Sequence, residues 1–133
     1  MSSPVRNRLV RTTAIGLAAG RLAIGAGLWL APRQALAALG FGEADDRAVA
    51  LARIAASRDL VLGLWQLASL DDPGELRRAS VAVAAADGGD AIAFALALPS
   101  AGSRGAALRG LAGAVPATIA GAWLTWRLSE SKC

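Results

Sequence analysis

The sequence predicts an all-α integral membrane protein, a four-helix bundle with a buried Arg/Asp polar core. Hydrophobic residues make up 55% of the 133 residues, and the mean hydropathy of +0.46 lies above that of soluble globular proteins. The apolar residues fall in four segments of one domain, residues 1–133, each close to the ~20 residues that a helix needs to cross a bilayer. Charged residues occur near the middle of three of these segments.

The first predicted span, about residues 12–32, follows a basic N-terminal stretch. A secretory signal peptide has the same outline, and residues 35–37 provide its Ala-x-Ala pattern. Arg21 interrupts the apolar stretch, however, and the stretch is long enough to cross the bilayer. We therefore favour a retained span over a cleaved signal peptide. Residues 34–39 are predicted to form a short helix at the membrane interface.

The second and third predicted spans, about residues 48–70 and 79–98, are bounded by turns that cannot remain in hydrocarbon. An Asp-Asp-Pro-Gly stretch separates the two spans, and a Pro/Ser/Gly-rich stretch follows the third. Each helix of a soluble bundle needs a polar face. For such a face the third span offers only Ser80, Asp87 and Asp90. This composition argues against a soluble bundle.

The fourth predicted span, about residues 106–128, has a proline at its middle. Pro116 leaves the carbonyl of Ala112 without its usual donor and predicts a kink. Trp123 and Trp126 fall near the end of this span, where an indole reaches the lipid headgroups. The segment is therefore predicted to cross the membrane with a bend.

The basic residues lie mainly outside or at the ends of the apolar segments, which indicates membrane topology rather than nucleic-acid binding. Seven Lys or Arg residues fall on the side of the two termini and four on the opposite side. The seven are Arg6, Arg8, Arg11, Arg77, Arg78, Arg127 and Lys132, and the four are Arg33, Arg47, Arg104 and Arg109. The bias predicts a multi-pass membrane protein with both termini in the cytoplasm.

Histidine is absent, and the single cysteine is the last residue, Cys133. The composition therefore excludes an internal disulfide and a metal site made of His and Cys ligands. We expect neither a metal nor another cofactor.

Five ionisable residues lie close to one plane at the centre of the first three spans. They are Arg21, Arg58, Asp59, Asp87 and Asp90. Each would cost at least ~2.5 kcal/mol if it faced lipid, so we expect all five to turn inward and to pair. Arg53 lies about 7 Å further along its helix, and including it brings the summed charge to zero. Arg109 is expected either to face the same cavity or to reach the interface.

Side-chain geometry adds to this expectation. Asp87 and Asp90 are three residues apart and share one helix face. A guanidinium has enough donors to bridge two carboxylates, so Arg21 or Arg58 is expected between two of the aspartates. Such bridges can also serve only to fix helix order, but three carboxylates at one depth favour a functional site.

The candidate ligand-binding residues are Arg21, Arg53, Arg58, Asp59, Asp87 and Asp90. One hypothesis is binding or transport of a small ligand or a proton, by a homodimer, because four spans are too few for a private aqueous pathway. A second is an intramembrane enzyme acting on a lipid-soluble substrate by epoxide opening, isomerisation or cyclisation. In that case Asp59, Asp87 and Asp90 would provide the general acid and base. A third is an accessory subunit whose charges meet those of a membrane partner.

Two motifs resemble a known group of proteins. They are Gly-x-x-x-Gly-Arg-Leu at residues 16–22, leading to Leu-Ala-Pro at 30–32, and Ala-Arg-Ile-x-x-x-Arg-Asp-Leu-x-Leu-Gly at residues 52–63. The chain is similar to small four-span membrane proteins of actinobacteria and, more loosely, to DoxX-like membrane proteins. The resemblance implies the four-span fold and a location in the bacterial inner membrane, but no activity, cofactor or catalytic residue.

Overall fold

The computed structural model describes residues 4–130, with side chains described from residue 7 onward. Lys132 and Cys133, used in the predictions above, lie outside the described residues, as does the side chain of Arg6. The described chain consists of five α-helices and has no strand, which confirms the all-α prediction. The helices are α1 (Pro4–Leu30), α2 (Pro32–Ala38), α3 (Asp46–Ala68), α4 (Pro73–Ala97) and α5 (Arg104–Glu130). Each predicted span lies mainly on one long helix, although the first runs on to Pro32, where α2 begins. The short helix predicted at residues 34–39 corresponds to α2.

Local signals explain where the helices begin. The side chain of Asp45 accepts a hydrogen bond from the backbone N–H of Ala48 at 2.8 Å and caps α3. Asp72 caps α4 in the same way, and Pro73 occupies the first position of that helix, where its missing N–H costs nothing. In α5 the helix continues through Pro116 as one element.

Three helices are long and apolar enough to cross a membrane. They are α1 over Arg8–Leu30, α4 over Pro73–Ala97 and α5 over Arg104–Glu130. The remaining long helix, α3, has 23 residues, but any stretch of it long enough to cross a bilayer contains Arg53, Arg58 and Asp59. Length and composition therefore support three spans directly. Whether α3 is a fourth span depends on whether its charged side chains face the interior of the bundle.

The outer surface of the long helices is strongly apolar. Exposed large side chains include Ile24 and Leu30 on α1, Leu51, Ile54 and Val61 on α3, Ile92 and Leu96 on α4, and Leu108 and Ile119 on α5. Soluble monomers rarely expose contiguous apolar surface on this scale. The pattern fits helices whose outer faces contact lipid.

The helices pack in two antiparallel pairs. α1 packs chiefly against α3, and α4 chiefly against α5, while smaller contacts between α1 and α5 and between α3 and α4 join the two pairs. Apolar side chains form a cluster at each end of the molecule. One contains Ala14, Leu76, Leu124 and Leu128, and the other contains Leu28, Leu36, Ala52 and Ala56. The charged residues predicted to pair lie between these clusters.

Candidate functional site

The close approach of α1 to α3 brings Arg21 beside Asp59. Small residues flank both side chains at the same spacing, one turn before and one turn after: Ala18 and Gly25 on α1, and Ala56 and Gly63 on α3. A Cβ atom on Gly63 would lie 2.8 Å from Cγ of Leu22 and 3.3 Å from the carbonyl oxygen of Ala18, so a larger residue would require one or both neighbours to move. The small residues thus set the distance at which a guanidinium and a carboxylate meet across the interface.

Arg21 bridges two buried carboxylates from two other helices. Its Nη1 donates a hydrogen bond to Oδ1 of Asp59 at 2.7 Å, and its Nη2 donates one to Oδ1 of Asp87 on α4. The three residues are only 8%, 9% and 7% exposed, respectively. Charges this deeply buried require partners, because an isolated ion in the interior loses its hydration without compensation. Arg21 therefore ties α1 to α3 and to α4 at once.

Arg58 extends this arrangement toward the surface. Its Nη2 donates to Oδ1 of Asp59 at 3.2 Å, and its two terminal nitrogens form a fork on the carboxylate of Asp90, at 3.0 and 2.7 Å. The fork geometry is the strong, oriented form of an Arg–carboxylate pair. The side chains of Arg58 and Asp90 are 40% and 33% exposed, so this end of the arrangement is open.

Together the five residues form what we call the charge chain, in the order Asp87, Arg21, Asp59, Arg58 and Asp90. Carboxylates and guanidiniums alternate along it. Both arginines bridge two aspartates, as the sequence predicts for at least one of them. With three carboxylates and two guanidiniums, the chain has a formal net charge of −1.

The sixth predicted residue, Arg53, does not join the charge chain, so the expected sum of zero is wrong for this cluster. Its guanidinium lies over the ring of Trp29, 5.6 Å from the ring centre, and its side chain is exposed. Such stacking is favourable for a cation at an exposed site. Arg109 also lies elsewhere, since its Nη1 donates to the carbonyl of Ala38 at 2.9 Å and satisfies the end of α2.

The buried part of the charge chain lies at the middle of the helices. The midpoint of Arg8–Leu30 is residue 19, and that of Pro73–Ala97 is residue 85. Arg21 and Asp87 are each two residues beyond these midpoints, or ~3 Å along the axis. Arg21 and Asp87 therefore lie at about the same level along α1 and α4, which is the common depth that the sequence predicts.

A buried polar pair continues from the charge chain along the interface of α3 and α4. Gln66 and Ser80 are both fully buried, and Nε2 of Gln66 lies 3.5 Å from the hydroxyl of Ser80. Gln66 is seven residues after Asp59, and Ser80 is seven residues before Asp87, so each pair shares a helix face. This pair is not among the residues predicted from the sequence, although the seven-residue spacing is its signal.

Two buried oxygens on this interface have no hydrogen-bond partner among the described residues. They are Oδ2 of Asp87 and Oε1 of Gln66. Buried acceptors are rarely left unsatisfied in folded proteins, and an exception calls for an explanation. Both oxygens can accept a hydrogen bond or, in the case of Asp87, a proton.

The arrangement does not suit a metal ion. Among residues 4–130, no group of three or more carboxylate, thiol or imidazole side chains is placed so as to hold one. The three aspartates of the charge chain are kept apart by the guanidiniums between them. A cation with several oxygen ligands therefore lacks a ready site here.

Comparison of the chain with protein-family models, curated proteins and solved structures finds no match. The resemblance to four-span actinobacterial and DoxX-like proteins, the homodimer and the ligand-binding role of the charge chain therefore stay predictions.

Proposed function

We propose that the protein is a four-span integral membrane protein whose charge chain takes up and transfers a proton. The formal charge of −1 at the middle of the membrane supports this, because one added proton brings the chain to neutrality. The single observation on which the proposal depends is Oδ2 of Asp87, a buried carboxylate oxygen without a described partner. A proton needs only one such lone pair, whereas a metal cation needs several ligands.

The placement of its charges supports α3 as the fourth span. Asp59 is buried and paired on both sides, and Arg58 is paired with two aspartates, so neither charge is isolated in lipid. The outward face of α3 presents Leu51, Ile54 and Val61, and the exposed Arg53 stacks on Trp29. A helix with paired charges inside and aliphatic side chains outside suits a membrane span. The positive-inside bias orients the bundle with both termini in the cytoplasm.

Polar groups on both sides of the buried Arg21–Asp87 contact offer the proton a route. Arg58 and Asp90 lie at the partly exposed end of the charge chain, and Gln66 and Ser80 continue the polar interface toward the turn between α3 and α4. The exposed charge pair at mid-depth also favours a second copy of the chain covering this face. Light scattering of the detergent-solubilised protein would show whether it is a dimer.

Proton flux into proteoliposomes tests the proposal. With an inside-negative potential imposed by potassium and valinomycin, the wild-type chain should acidify the lumen, as reported by a trapped pH dye. Asp87→Asn should reduce the flux to that of empty vesicles, because it removes the proton acceptor. The matched control is Asp71→Asn, whose carboxylate is 90% exposed and pairs with the exposed Arg11.

Two results would contradict the proposal: no flux above empty vesicles for the wild type, or full flux for Asp87→Asn. Asp87→Glu retains the carboxyl group and should retain measurable flux, which separates proton transfer from a general loss of folding. A sodium gradient should drive no ion uptake in the same vesicles.

A further inference from the structure

A groove between α4 and α5 lies apart from the charge chain. It has a volume of about 330 Å³ and is lined by Arg77, Val81 and Ala84 of α4 and by Ala122, Thr125, Trp126 and Ser129 of α5. On each helix these residues recur at intervals of three or four, so they form one continuous face. Because both helices are candidate membrane spans, the groove lies where lipid would contact it.

The groove is polar at one end and apolar at the other. Arg77 and Ser129 lie at the end near the start of α4 and the end of α5. Ala84, seven residues or ~10 Å deeper along α4, faces the apolar end together with Ala122. A headgroup at the interface and an acyl chain pointing inward have the same polarity profile.

The charge at the polar end selects an anion. Arg77 forms no salt bridge with any described carboxylate, and its buried Nε has no described hydrogen-bond partner. The neighbouring Arg78 is different, because its Nη1 pairs with Glu75. The charge of Arg77 is therefore available to a bound group, and a guanidinium is well suited to a phosphate.

The aromatic wall of the groove is typical of the interfacial region. Trp126 lines the groove and is 54% exposed, and the guanidinium of Arg127 lies over its ring at 5.5 Å. Indoles prefer the headgroup layer of a bilayer. This places the polar end of the groove at the depth of lipid phosphates, on the side that the positive-inside bias assigns to the cytoplasm.

We propose that this groove binds one anionic phospholipid, with its phosphodiester on Arg77 and the first part of an acyl chain along Val81, Ala84 and Ala122. The inference depends on membrane placement of α4 and α5 and not on proton transfer by the charge chain. The volume is near the lower end of the roughly 300–1,000 Å³ of small-molecule sites, which suits a headgroup and a short stretch of chain.

Native mass spectrometry of the detergent-purified chain tests the site. Phosphatidylglycerol and phosphatidylcholine with identical acyl chains are added in turn, and the lipid-bound fraction is measured. Both lipids offer a phosphodiester, but the choline of phosphatidylcholine places a second positive charge beside Arg77. We therefore expect the wild type to bind phosphatidylglycerol about tenfold more tightly. Arg77→Gln should weaken binding of phosphatidylglycerol and remove its preference over phosphatidylcholine. Arg78→Gln should keep the preference, since its side chain is 72% exposed and paired with Glu75.

Two further arms make the test specific. Ala122→Leu fills the apolar end and should weaken binding of both lipids without touching Arg77. Glycerol phosphate should not displace the bound lipid, because it lacks the acyl chain. Three results would each overturn the proposal. They are an equal loss of phosphatidylglycerol affinity in Arg77→Gln and Arg78→Gln, no headgroup preference in the wild type, and displacement of the bound lipid by glycerol phosphate. Asp87→Asn should bind lipid normally, so this result is independent of the flux assay.

Discussion

Arg21 is the residue on which most of the buried polar contacts depend. It is 8% exposed and contacts both Asp59 and Asp87, whereas each of these carboxylates has at most one other charged partner. Removing it leaves two buried carboxylates on neighbouring helices with less compensation. Removing Asp87 instead brings the remaining four charges of the chain to zero. Substitutions at Arg21 and Asp87 should therefore differ in how much they destabilise the protein.

We expect Arg21→Met to lower the free energy of unfolding by about 3–5 kcal/mol, because it leaves the buried carboxylate of Asp87 without a described charged partner. Asp87→Asn should cost clearly less, since the amide can still accept from Arg21. Arg11→Met is the matched control: it removes an arginine of α1 whose pair with Asp71 is exposed, and should cost below about 1 kcal/mol. Chemical unfolding in detergent, followed by tryptophan fluorescence, measures all three. Equal losses for Arg21→Met and Arg11→Met would show that the charge chain does not stabilise the fold.

The helices could be predicted from the sequence more fully than their contacts. The four predicted spans coincide with α1, α3, α4 and α5, because hydropathy and charged turns report the length of a segment directly. α4 begins at Pro73, six residues before the predicted third span, because Asp72 and Pro73 start the helix before the apolar run begins. Helix boundaries and membrane boundaries are set by different residues.

Which small residues mediate helix contacts could not be predicted. A Cβ atom on Gly16 or Gly20, the obvious Gly-x-x-x-Gly step, would meet nothing within 4 Å. The close contact between α1 and α3 involves Gly25 and Gly63 instead. In a chain with 15 glycines, many pairs have suitable spacing, and only the packing of whole helices selects among them.

At the scale of the α1–α3 pair, we expect Gly63→Ala to destabilise the protein by about 1–3 kcal/mol, the usual cost of overpacking. The new methyl group would lie 2.8 Å from Cγ of Leu22 and 3.3 Å from the carbonyl oxygen of Ala18. Gly20→Ala, on the open face of α1, should be neutral or stabilising by up to ~1 kcal/mol. The unfolding assay used for Arg21 compares the two. A larger loss for Gly20→Ala would indicate that the open face of α1, rather than the α1–α3 contact, is the tightly packed one.

At the scale of the whole molecule, the common depth of Arg21, Asp59 and Asp87 could be predicted because each lies near the centre of its own segment. The order in which the charged residues pair with one another could not be predicted. Hydropathy places a charge along the membrane normal but leaves its direction around the helix open, and so Arg53 was grouped with residues from which it points away. The packing also supports retention of α1, because its removal would leave Asp59 and Asp87 without Arg21.

Whether α3 is a fourth span can be tested by finding on which side of the membrane each of its two flanking loops lies. Glu43, between α2 and α3, and Asp71, between α3 and α4, are both exposed. In a Cys133→Ser background, Glu43→Cys and Asp71→Cys each provide a single thiol for a membrane-impermeant maleimide. If α3 crosses the bilayer, intact spheroplasts should label Glu43→Cys only, and Asp71→Cys should react only after lysis, since the positive-inside bias places that turn in the cytoplasm. Equal labelling of the two positions in intact spheroplasts would place them on one side of the membrane. In that case α3 does not cross the bilayer, and the charge chain cannot lie at its centre.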